Sequence, residues 1–169
     1  KGDLPDSLNL PSIIAVDTET MGLSFDRDRL CLVQVSFGDK NAHLVQLGGT
    51  LGYQANNLKK LLRNSKVTKI FHYARFDVAM LKKYLGVLCS SVYCTKIASK
   101  LARTYTDRHG LKELCKELLN VEISKQQQSS DWGKDIISKN QINYAANDVL
   151  YLHEIKQKLD EILERENRI

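Results

Sequence analysis

An apolar segment near the start of the chain ends in two carboxylates, and this feature restricts the available folds more than any other. Residues 13–16 read Ile-Ile-Ala-Val, and Asp17-Thr18-Glu19 follows directly. An extended chain points residues i and i+2 to the same side, so Asp17 and Glu19 project from one face at a strand end. Two like charges at that spacing repel each other unless a cation lies between them. Taken alone, the pair is also typical of an acidic turn after a strand.

A third carboxylate, that of Asp77, follows another apolar segment. Residues 69–71 predict a short strand, and the sequence then changes to a helical period that we expect to span residues 76–85. The apolar residues expected on one face of this helix are Phe76, Ala79, Met80 and Tyr84, with Leu81 beside them. Asp77 would lie in the first turn, where the helix dipole favours a carboxylate without any metal. A purely structural capping role is therefore a real alternative.

The fourth carboxylate, Asp148, lies on a predicted C-terminal helix. Ser138 and Gln141 form a capping-box signal, so this helix should span residues 139–164. Tyr144 precedes Asp148 by four residues, and both side chains therefore reach the same place on the helix surface. The residues expected to face the core are Ile142, Ala145, Val149, Leu152, Ile155 and Leu159. In isolation, an exposed polar contact is the simpler interpretation of the Tyr144–Asp148 pair.

The order of these segments resembles the three motifs of the DEDD exonuclease superfamily. The matching segments are residues 17–19, 71–77 and 144–152, and the tyrosine four residues before the last aspartate marks the DEDDy branch, which includes ribonuclease D. Residues 93–101, 104–110 and 123–132 are similar to the nanoRNase C (NrnC) family of short enzymes that lack C-terminal helical domains. Residues 133–137 and Cys94 depart from the ribonuclease D pattern, which argues against a tRNA-processing enzyme.

The resemblance implies a catalytic centre and an activity. The catalytic residues would be Asp17, Glu19, Asp77, Tyr144 and Asp148. The four acids would hold two divalent ions, Mg²⁺ or Mn²⁺, while Tyr144 would orient the attacking water. The implied enzyme is a metal-dependent 3′-5′ exoribonuclease that hydrolyses short oligoribonucleotides, down to dinucleotides, to nucleoside 5′-monophosphates. The family resemblance further implies a homo-octamer that acts on short single-stranded RNA and has also been associated with DNA.

Two other functions remain open. The same enzyme chemistry fits ribonuclease D-like trimming of longer RNA 3′ ends or a 3′-5′ exonuclease acting on DNA, and the preferred substrate length separates these from the leading interpretation. A nucleic-acid-binding module without catalysis is a remote alternative, because such folds become inactive by losing an acid and all four acids are present here.

Substrate-contacting residues are predicted from their positions in the matched motifs and from residue type. They are Thr18, Met21, Gly22, Leu23, His72, Arg103 and His109. Leu23 would act as an apolar wedge against a base, whereas the alternative is a turn glycine at positive φ followed by a core leucine. His72 would contact the scissile nucleotide or would simply be a satisfied polar residue. Candidates for binding a 5′ phosphate, or for a solvated surface, are Lys96, Arg103, Arg108, His109, Lys112 and Lys125.

The composition is compatible with a nucleic-acid-cleaving enzyme, although it would not predict one by itself. A chain of 169 residues with 43% hydrophobic residues forms one domain, here the whole span 1–169. Its 25 Lys and Arg against 20 Asp and Glu give a net charge of +5, which suits a polyanionic ligand. The absence of a long apolar span or signal peptide predicts a cytoplasmic protein without a membrane partner. The four cysteines have no metal-binding spacing and are expected to be reduced thiols.

The predicted fold class is α/β. Strands are expected at residues 12–16, 30–37, 42–46, 69–71 and 92–94, and helices at residues 57–63, 76–85, 96–102, 111–119 and 139–164. Residues 38–41 should join the second and third strands as a hairpin. Three antiparallel strands followed by alternating helix and strand give a mixed five-stranded sheet flanked by helices. An RNase H-like exonuclease fold requires this arrangement.

Overall fold

Five strands form one mixed sheet in the order β3-β2-β1-β4-β5. The structure, a computed structural model, describes residues 1–169. The strands are β1 (Ile13–Thr20), β2 (Leu30–Ser36), β3 (Ala42–Gln46), β4 (Thr68–Phe71) and β5 (Val92–Cys94). Strands β1, β2 and β3 pair antiparallel, whereas β4 runs parallel to β1 and β5 runs parallel to β4. The predicted mixed five-stranded sheet is confirmed.

Six α-helices cover the sheet. They are α1 (Asn56–Arg63), α2 (Ala74–Leu85), α3 (Thr95–Ala102), α4 (Leu111–Leu119), α5 (Lys139–Leu150) and α6 (Leu152–Arg165). The prediction of one C-terminal helix is wrong, because the helix breaks at Tyr151, whose φ of -103° and ψ of -5° depart from α-helical geometry. Helix α5 packs on β1, β2 and β3, whereas α6 packs mainly on α3, α4 and β4, and the break lets each half follow its own partners.

Alternation along β1 divides its side chains between two cores. Ile14 and Val16 belong to a cluster with residues of α1 and α2, whereas Ala15 belongs to a second cluster with residues of α5 and α6. Asp17 and Glu19 have the parity of Ala15, so the two-residue period directs them toward the face that α5 covers. The sheet therefore brings the first acidic pair beneath the helix that carries Asp148.

Strand β1 is longer than predicted, because it continues through Thr20 instead of ending at Val16. Its polar end pairs with β2, with Asp17 opposite Gln34 and Glu19 opposite Leu32. A register irregularity follows between Glu19 and Thr20, and the last pair beyond it is Thr20 with Leu30. The two carboxylates therefore lie within a paired strand, and the hydrogen-bonded ladder fixes their backbone.

Helix α2 begins at Ala74, two residues earlier than predicted, and its buried face also differs from the predicted one. The buried residues of α2 are Ala74, Asp77, Met80, Leu81 and Leu85. Phe76, Ala79 and Tyr84, which we expected on the buried stripe, are half-buried instead. Asp77 consequently lies on the inward face of the helix, an unfavourable place for a carboxylate without partners.

The predicted capping box at the start of α5 is present. Ser138 Oγ accepts a hydrogen bond from the Gln141 amide at 3.1 Å, and Gln141 Oε1 accepts one from the Ser138 amide at 2.9 Å. The Gln141 side chain also donates to Ser130 Oγ and to the Asp131 carbonyl, which ties the preceding loop to the helix. The expected core stripe of the C-terminal region is buried except for Ile142, which is exposed.

Two further expectations concern the chain as a whole. All four cysteines are free thiols, and three of them, Cys31, Cys89 and Cys115, are buried, where desolvation raises their pKa and keeps them protonated. None of the helices is both long and apolar enough to cross a lipid bilayer.

Candidate active site

Three carboxylates converge where α5 crosses β1. One oxygen from each of Asp17, Glu19 and Asp148 lies within 4.8 Å of the other two. Glu19 is buried, whereas Asp17 and Asp148 are half-buried, so the group remains open on one side. Hard divalent cations prefer several carboxylate oxygens at such a spacing. The structure thus brings together three of the four acids that the sequence pattern had associated.

Asp77 approaches this group from the first turn of α2. Its carboxylate accepts a hydrogen bond from the Thr18 hydroxyl, and the backbone amide of Asp77, in the first turn of α2, also stabilises its charged form. The structure is therefore compatible with a capping contribution from Asp77 as well as with a place at the acidic group. Its negative charge is close enough to raise the pKa of both Asp17 and Glu19. Asp77 lies next to the three-oxygen group without being part of it.

The pKa values of all four acids are raised, chiefly because burial penalises the charged form. The pKa of Asp17 is raised further by the charges of Asp77, Asp148 and Glu19. Burial and the charges of Asp148 and Asp77 raise the pKa of Glu19 to about 9. The pKa of Asp77 and that of Asp148 are each raised to about 7, both mainly by burial. Near neutral pH the cluster therefore needs either protons or a cation.

Tyr144 lies beside Asp148, as its position one turn earlier on α5 predicted. Burial and the nearby charge of Asp148 raise the pKa of the Tyr144 phenol far above neutrality, so the hydroxyl stays protonated. Its ring packs against Trp132, with the ring centroids 5.9 Å apart and the planes tilted by 39°. A neutral phenol held in this way can orient a water molecule but cannot act as a strong base.

Gln34 and Trp132 belong to this region but were not among the predicted site residues. Gln34 Nε2 donates to Asp17 Oδ2 at 3.3 Å, and its Oε1 is buried without a hydrogen-bond partner. Trp132 is almost fully buried, and its Nε1 also has no partner. The available signal for Gln34 was an amide within the apolar run of residues 30–35. Trp132 was noted only as part of a family resemblance.

The loop after β1 presents Leu23 to solvent. Leu23 is 85% exposed, which excludes the alternative of a core leucine. Gly22 does not have a positive φ. A side chain at that position would instead collide with the carboxylate of Asp28, which accepts a hydrogen bond from the Ser24 amide. Met21 is 47% exposed, and its sulfur lies against Gly133, where a β-carbon would collide with it.

Thr18, Arg103 and His109 were predicted to contact substrate, and the structure engages their side chains elsewhere. The Thr18 hydroxyl is bound to Asp77. Arg103 is fully buried and donates to Ser99 Oγ at 3.0 Å, to the Arg108 carbonyl at 2.8 Å and to Glu117. His109 is buried and its Nδ1 lies 2.8 Å from Ser99 Oγ. Arg103 and His109 thus form an internal network that joins α3 to α4, which corrects the expectation that they face the substrate.

His72 keeps one ring nitrogen uncommitted. Its Nδ1 lies 2.9 Å from Thr95 Oγ1, and the Thr95 hydroxyl donates to the Phe71 carbonyl at 3.2 Å. Because that hydroxyl has only one proton, Nδ1 of His72 must carry the hydrogen, which leaves Nε2 as an acceptor. Burial and the neighbouring Lys96 lower the pKa of His72 to about 4, so the ring is neutral at pH 7.

The remaining basic candidates differ in exposure. Lys96 is half-buried, and its ammonium group lies 4.2 Å from the centre of the Tyr73 ring. Arg108, Lys112 and Lys125 are exposed and make no ion pair within the chain. These four residues are therefore available to a phosphate, whereas Arg103 and His109 are not.

Comparison with known proteins places this geometry in a family. Residues 4–164 match the family model described as 3′-5′ exonuclease. The chain is 34% identical over 151 residues to DNA polymerase I of Aquifex aeolicus, covering 88% of this chain and 24% of that protein. It is 33% identical over 156 residues to ribonuclease D of Gluconacetobacter diazotrophicus, covering 92% of this chain and 39% of that protein. The chain thus spans well under half the length of these curated relatives.

Solved structures resemble the chain over nearly its whole length. Brucella melitensis NrnC bound to pGG is 53% identical, with a TM-score of 0.93, covering 99% of this chain and 81% of that one. Brucella melitensis NrnC with bound Mg²⁺ is also 53% identical, with a TM-score of 0.90, covering 98% and 81% of the respective chains. These overlays confirm the predicted RNase H-like exonuclease fold. The family match over residues 4–164 and the two curated relatives together show that this chain belongs to the 3′-5′ exonuclease family.

Proposed function

We propose that this domain is a metal-dependent 3′-5′ exoribonuclease that hydrolyses short oligoribonucleotides, down to dinucleotides, to nucleoside 5′-monophosphates. The observation that carries the proposal is the convergence of Asp17, Glu19 and Asp148, with an oxygen of each within 4.8 Å of the others. Membership of the 3′-5′ exonuclease family supports the reaction class. The similarity to NrnC, which was solved with pGG bound, supports a very short RNA as the substrate.

We infer that two divalent cations, Mg²⁺ or Mn²⁺, serve the reaction. Asp17, Glu19 and Asp148 would hold one ion, and Asp17 together with Asp77 would hold the second. The donor set fits such ions because it consists of buried or half-buried carboxylates that no Lys or Arg neutralises. The Mg²⁺-bound NrnC structure supports this assignment. When bound, the ions stabilise negative charge on the attacking and departing oxygens.

The residues of the chain hold and orient the reacting groups. Tyr144, protonated and packed on Trp132, directs a water molecule toward the phosphorus of the last phosphodiester. The water oxygen forms a bond to phosphorus as the bond to the 3′ oxygen of the preceding nucleotide breaks. The attacking water releases a proton to solvent, the 3′ oxygen takes up a proton from solvent, and the terminal nucleotide leaves with a 5′-phosphate. Thr18 holds the Asp77 carboxylate in place throughout.

Substrate contacts follow from what the structure leaves accessible. Leu23, exposed next to the first acidic pair, would pack against a base, with Met21 and Gly22 shaping the approach to it. His72 would accept a hydrogen bond at Nε2 from a ribose hydroxyl, because its Nδ1 is already bound to Thr95. The cations available for the 5′ phosphate of a dinucleotide are those of Lys96, Arg108, Lys112 and Lys125.

We also infer that the protein is a homo-oligomer, with eight copies as the resemblance implies, and that it is cytoplasmic. Helix α3 leaves two apolar side chains one turn apart on the surface, Ile97 at 60% exposure and Leu101 at 52%, and Tyr105 follows at 77%. Such a group of exposed apolar residues is typical of an interface between subunits. The four free cysteines support a reducing compartment.

The oligomer is tested by light scattering coupled to gel filtration. One chain has a mass of 19.2 kDa, and we expect the assembly to have eight times that mass. A monomer at micromolar concentration would contradict the proposed assembly and leave the proposed reaction in place.

Substitution of the acids and the tyrosine tests the reaction. Asp17→Asn should lower kcat on the order of 10³-fold or more, because the carboxylate serves both ions. Tyr144→Phe should lower it by about 10²-fold, through loss of the orienting hydroxyl. The measurement is hydrolysis of 5′-labelled RNAs of two to twenty nucleotides in Mg²⁺ or Mn²⁺, resolved on denaturing gels.

The matched controls for these variants are Asp107→Asn, on an exposed loop, and Tyr151→Phe, at the break between α5 and α6. Both should retain the activity of the wild type. Full activity of Asp17→Asn would rule out the metal assignment. If dinucleotides were the slowest substrates, the preference for the shortest RNAs would be wrong, and trimming of longer RNA or of DNA would become the better interpretation.

The role of Leu23 is tested by Leu23→Ala. Burying the Leu23 side chain under a base removes apolar surface from water and contributes about 1.5 kcal/mol. The KM for a dinucleotide should therefore rise about 10-fold in the variant. Thermal stability should stay the same, because Leu23 is 85% exposed. Leu88→Ala is the matched control, since Leu88 is 69% exposed on another loop, and it should leave KM unchanged. If Leu23→Ala had the same KM as Leu88→Ala, Leu23 would not contact the substrate.

The raised pKa values predict how stability depends on pH in the metal-free protein. These acids have pKa values near 4 in the unfolded chain and about 7 to 9 in the fold, so they bind more protons when folded. Stability is therefore lost as pH rises from about 4 through the folded pKa values. We expect the metal-free Tm to fall by about 5 °C between pH 5 and pH 9, and saturating Mg²⁺ to restore it.

Differential scanning calorimetry with and without Mg²⁺ measures this effect. The variant Glu19→Gln removes the acid whose pKa is raised to about 9, and it should reduce both the pH dependence and the response to Mg²⁺. A metal-free Tm that rises with pH would show that the four acids are not held in a repulsive cluster.

A further inference from the structure

Gln34 places an amide in the middle of a buried strand. All seven residues of β2 are buried, and Gln34 has no exposed surface. In the antiparallel pairing of β1 and β2 it stands directly opposite Asp17, and residues opposite each other in such a pair share one face of the sheet. The next pair on that face is Leu32 with Glu19, so an apolar side chain is accommodated beside an acid in this sheet. The amide therefore calls for an explanation beyond packing.

Only the amide nitrogen of the Gln34 side chain forms hydrogen bonds. Its Nε2 donates to Asp17 Oδ2 at 3.3 Å, and the same amide group lies against the Glu19 carboxylate. Its Oε1 is buried and has no partner in the chain. An ionised carboxylate only accepts hydrogen bonds, so the amide nitrogen must face the acids and the oxygen must face away. A buried carbonyl oxygen without a partner lowers stability, which makes glutamine a costly choice at this position.

We propose that Gln34 is a positioning residue that turns the Asp17 carboxylate so that its other oxygen faces those of Glu19 and Asp148, and so prepares this group for a divalent cation. The inference rests on the proposed function, because it assigns Gln34 to the metal site described there. A neutral amide suits this role better than Lys or Arg. A positive charge at this position would neutralise the acids and compete with the ion, whereas an amide orients Asp17 without adding charge.

Gln34→Met tests the proposal, because methionine has a similar length and shape but cannot donate a hydrogen bond. Hydrogen-bonding partners of metal ligands contribute about 10- to 100-fold to metal affinity. Isothermal titration should therefore show Mg²⁺ binding weakened by that factor. The Mg²⁺ concentration that gives half-maximal hydrolysis of a labelled dinucleotide should rise equally, and kcat should recover at saturating Mg²⁺. The metal-free Tm should not fall, since the unpaired carbonyl is removed.

Gln46→Met is the matched control. Gln46 lies on β3 and bonds to the carbonyls of Lys134 and Asp135, so its replacement should leave Mg²⁺ affinity unchanged. Gln34→Leu repeats the comparison with a side chain type already common in β2, so that the test does not depend on the folding of one variant. Mg²⁺ affinity equal to that of the wild type in either Gln34 variant would overturn the positioning role.

Failure of the proposed function gives a different result. In that case the wild type itself would bind no Mg²⁺ and cleave no RNA, and both proposals would be lost together. A different outcome separates the two proposals. If the wild type and Gln34→Met both bind Mg²⁺ and cleave RNA at equal Mg²⁺ concentration, only the role of Gln34 is lost.

Discussion

Electrostatic repulsion among buried and half-buried carboxylates is the constraint on which the rest of this domain depends. Asp17, Glu19, Asp77 and Asp148 come from β1, α2 and α5, and burial raises the pKa of each one. The six ion pairs in the structure involve none of them. A protein without another use for these acids would place a cationic side chain beside them or expose them to water. Their charge must instead be balanced from outside the chain, and this is why the site suits divalent cations.

Neutral donors hold the acids where cationic side chains are absent. The Thr18 hydroxyl binds Asp77 from one side of β1, and the Gln34 amide binds Asp17 from the other. Both groups restrict a carboxylate without cancelling its charge. The one arginine that is fully buried, Arg103, is used elsewhere, in the network that joins α3 to α4. A buried cationic side chain stabilises a fold when it pairs with an acid. The same pairing at a metal site would neutralise the ligands, which is why Arg103 and the four acids lie apart.

Local patterns in the sequence predicted most of the elements. The order of the motifs and their resemblance to exonucleases predicted that four acids converge, and three of them share one group in the structure. The two-residue period put Asp17 and Glu19 on one face, and the capping box at Ser138 fixed the start of α5, hence the direction of Asp148. The wrong predictions concern features that depend on partners distant in the chain. Strand β1 extends past Val16 because β2 pairs with its polar end, and the C-terminal helix breaks because its halves pack on different elements. The burial of Arg103 depends on Ser99 and Glu117, which no single-residue rule anticipates.

The loop that carries Leu23 is held by contacts with Asp28 and with helix α2. Asp28 is buried, and its carboxylate accepts the Ser24 amide and lies against Gly22. From α2, the Lys83 ammonium donates to the Phe25 carbonyl and lies 4.6 Å from the Phe25 ring centre. These contacts fix the loop while leaving Leu23 in water. An apolar side chain that is already ordered loses little conformational entropy when a base packs against it. The very short RNA proposed as substrate would offer few contacts in total, so an ordered loop would matter more for it than for a long strand.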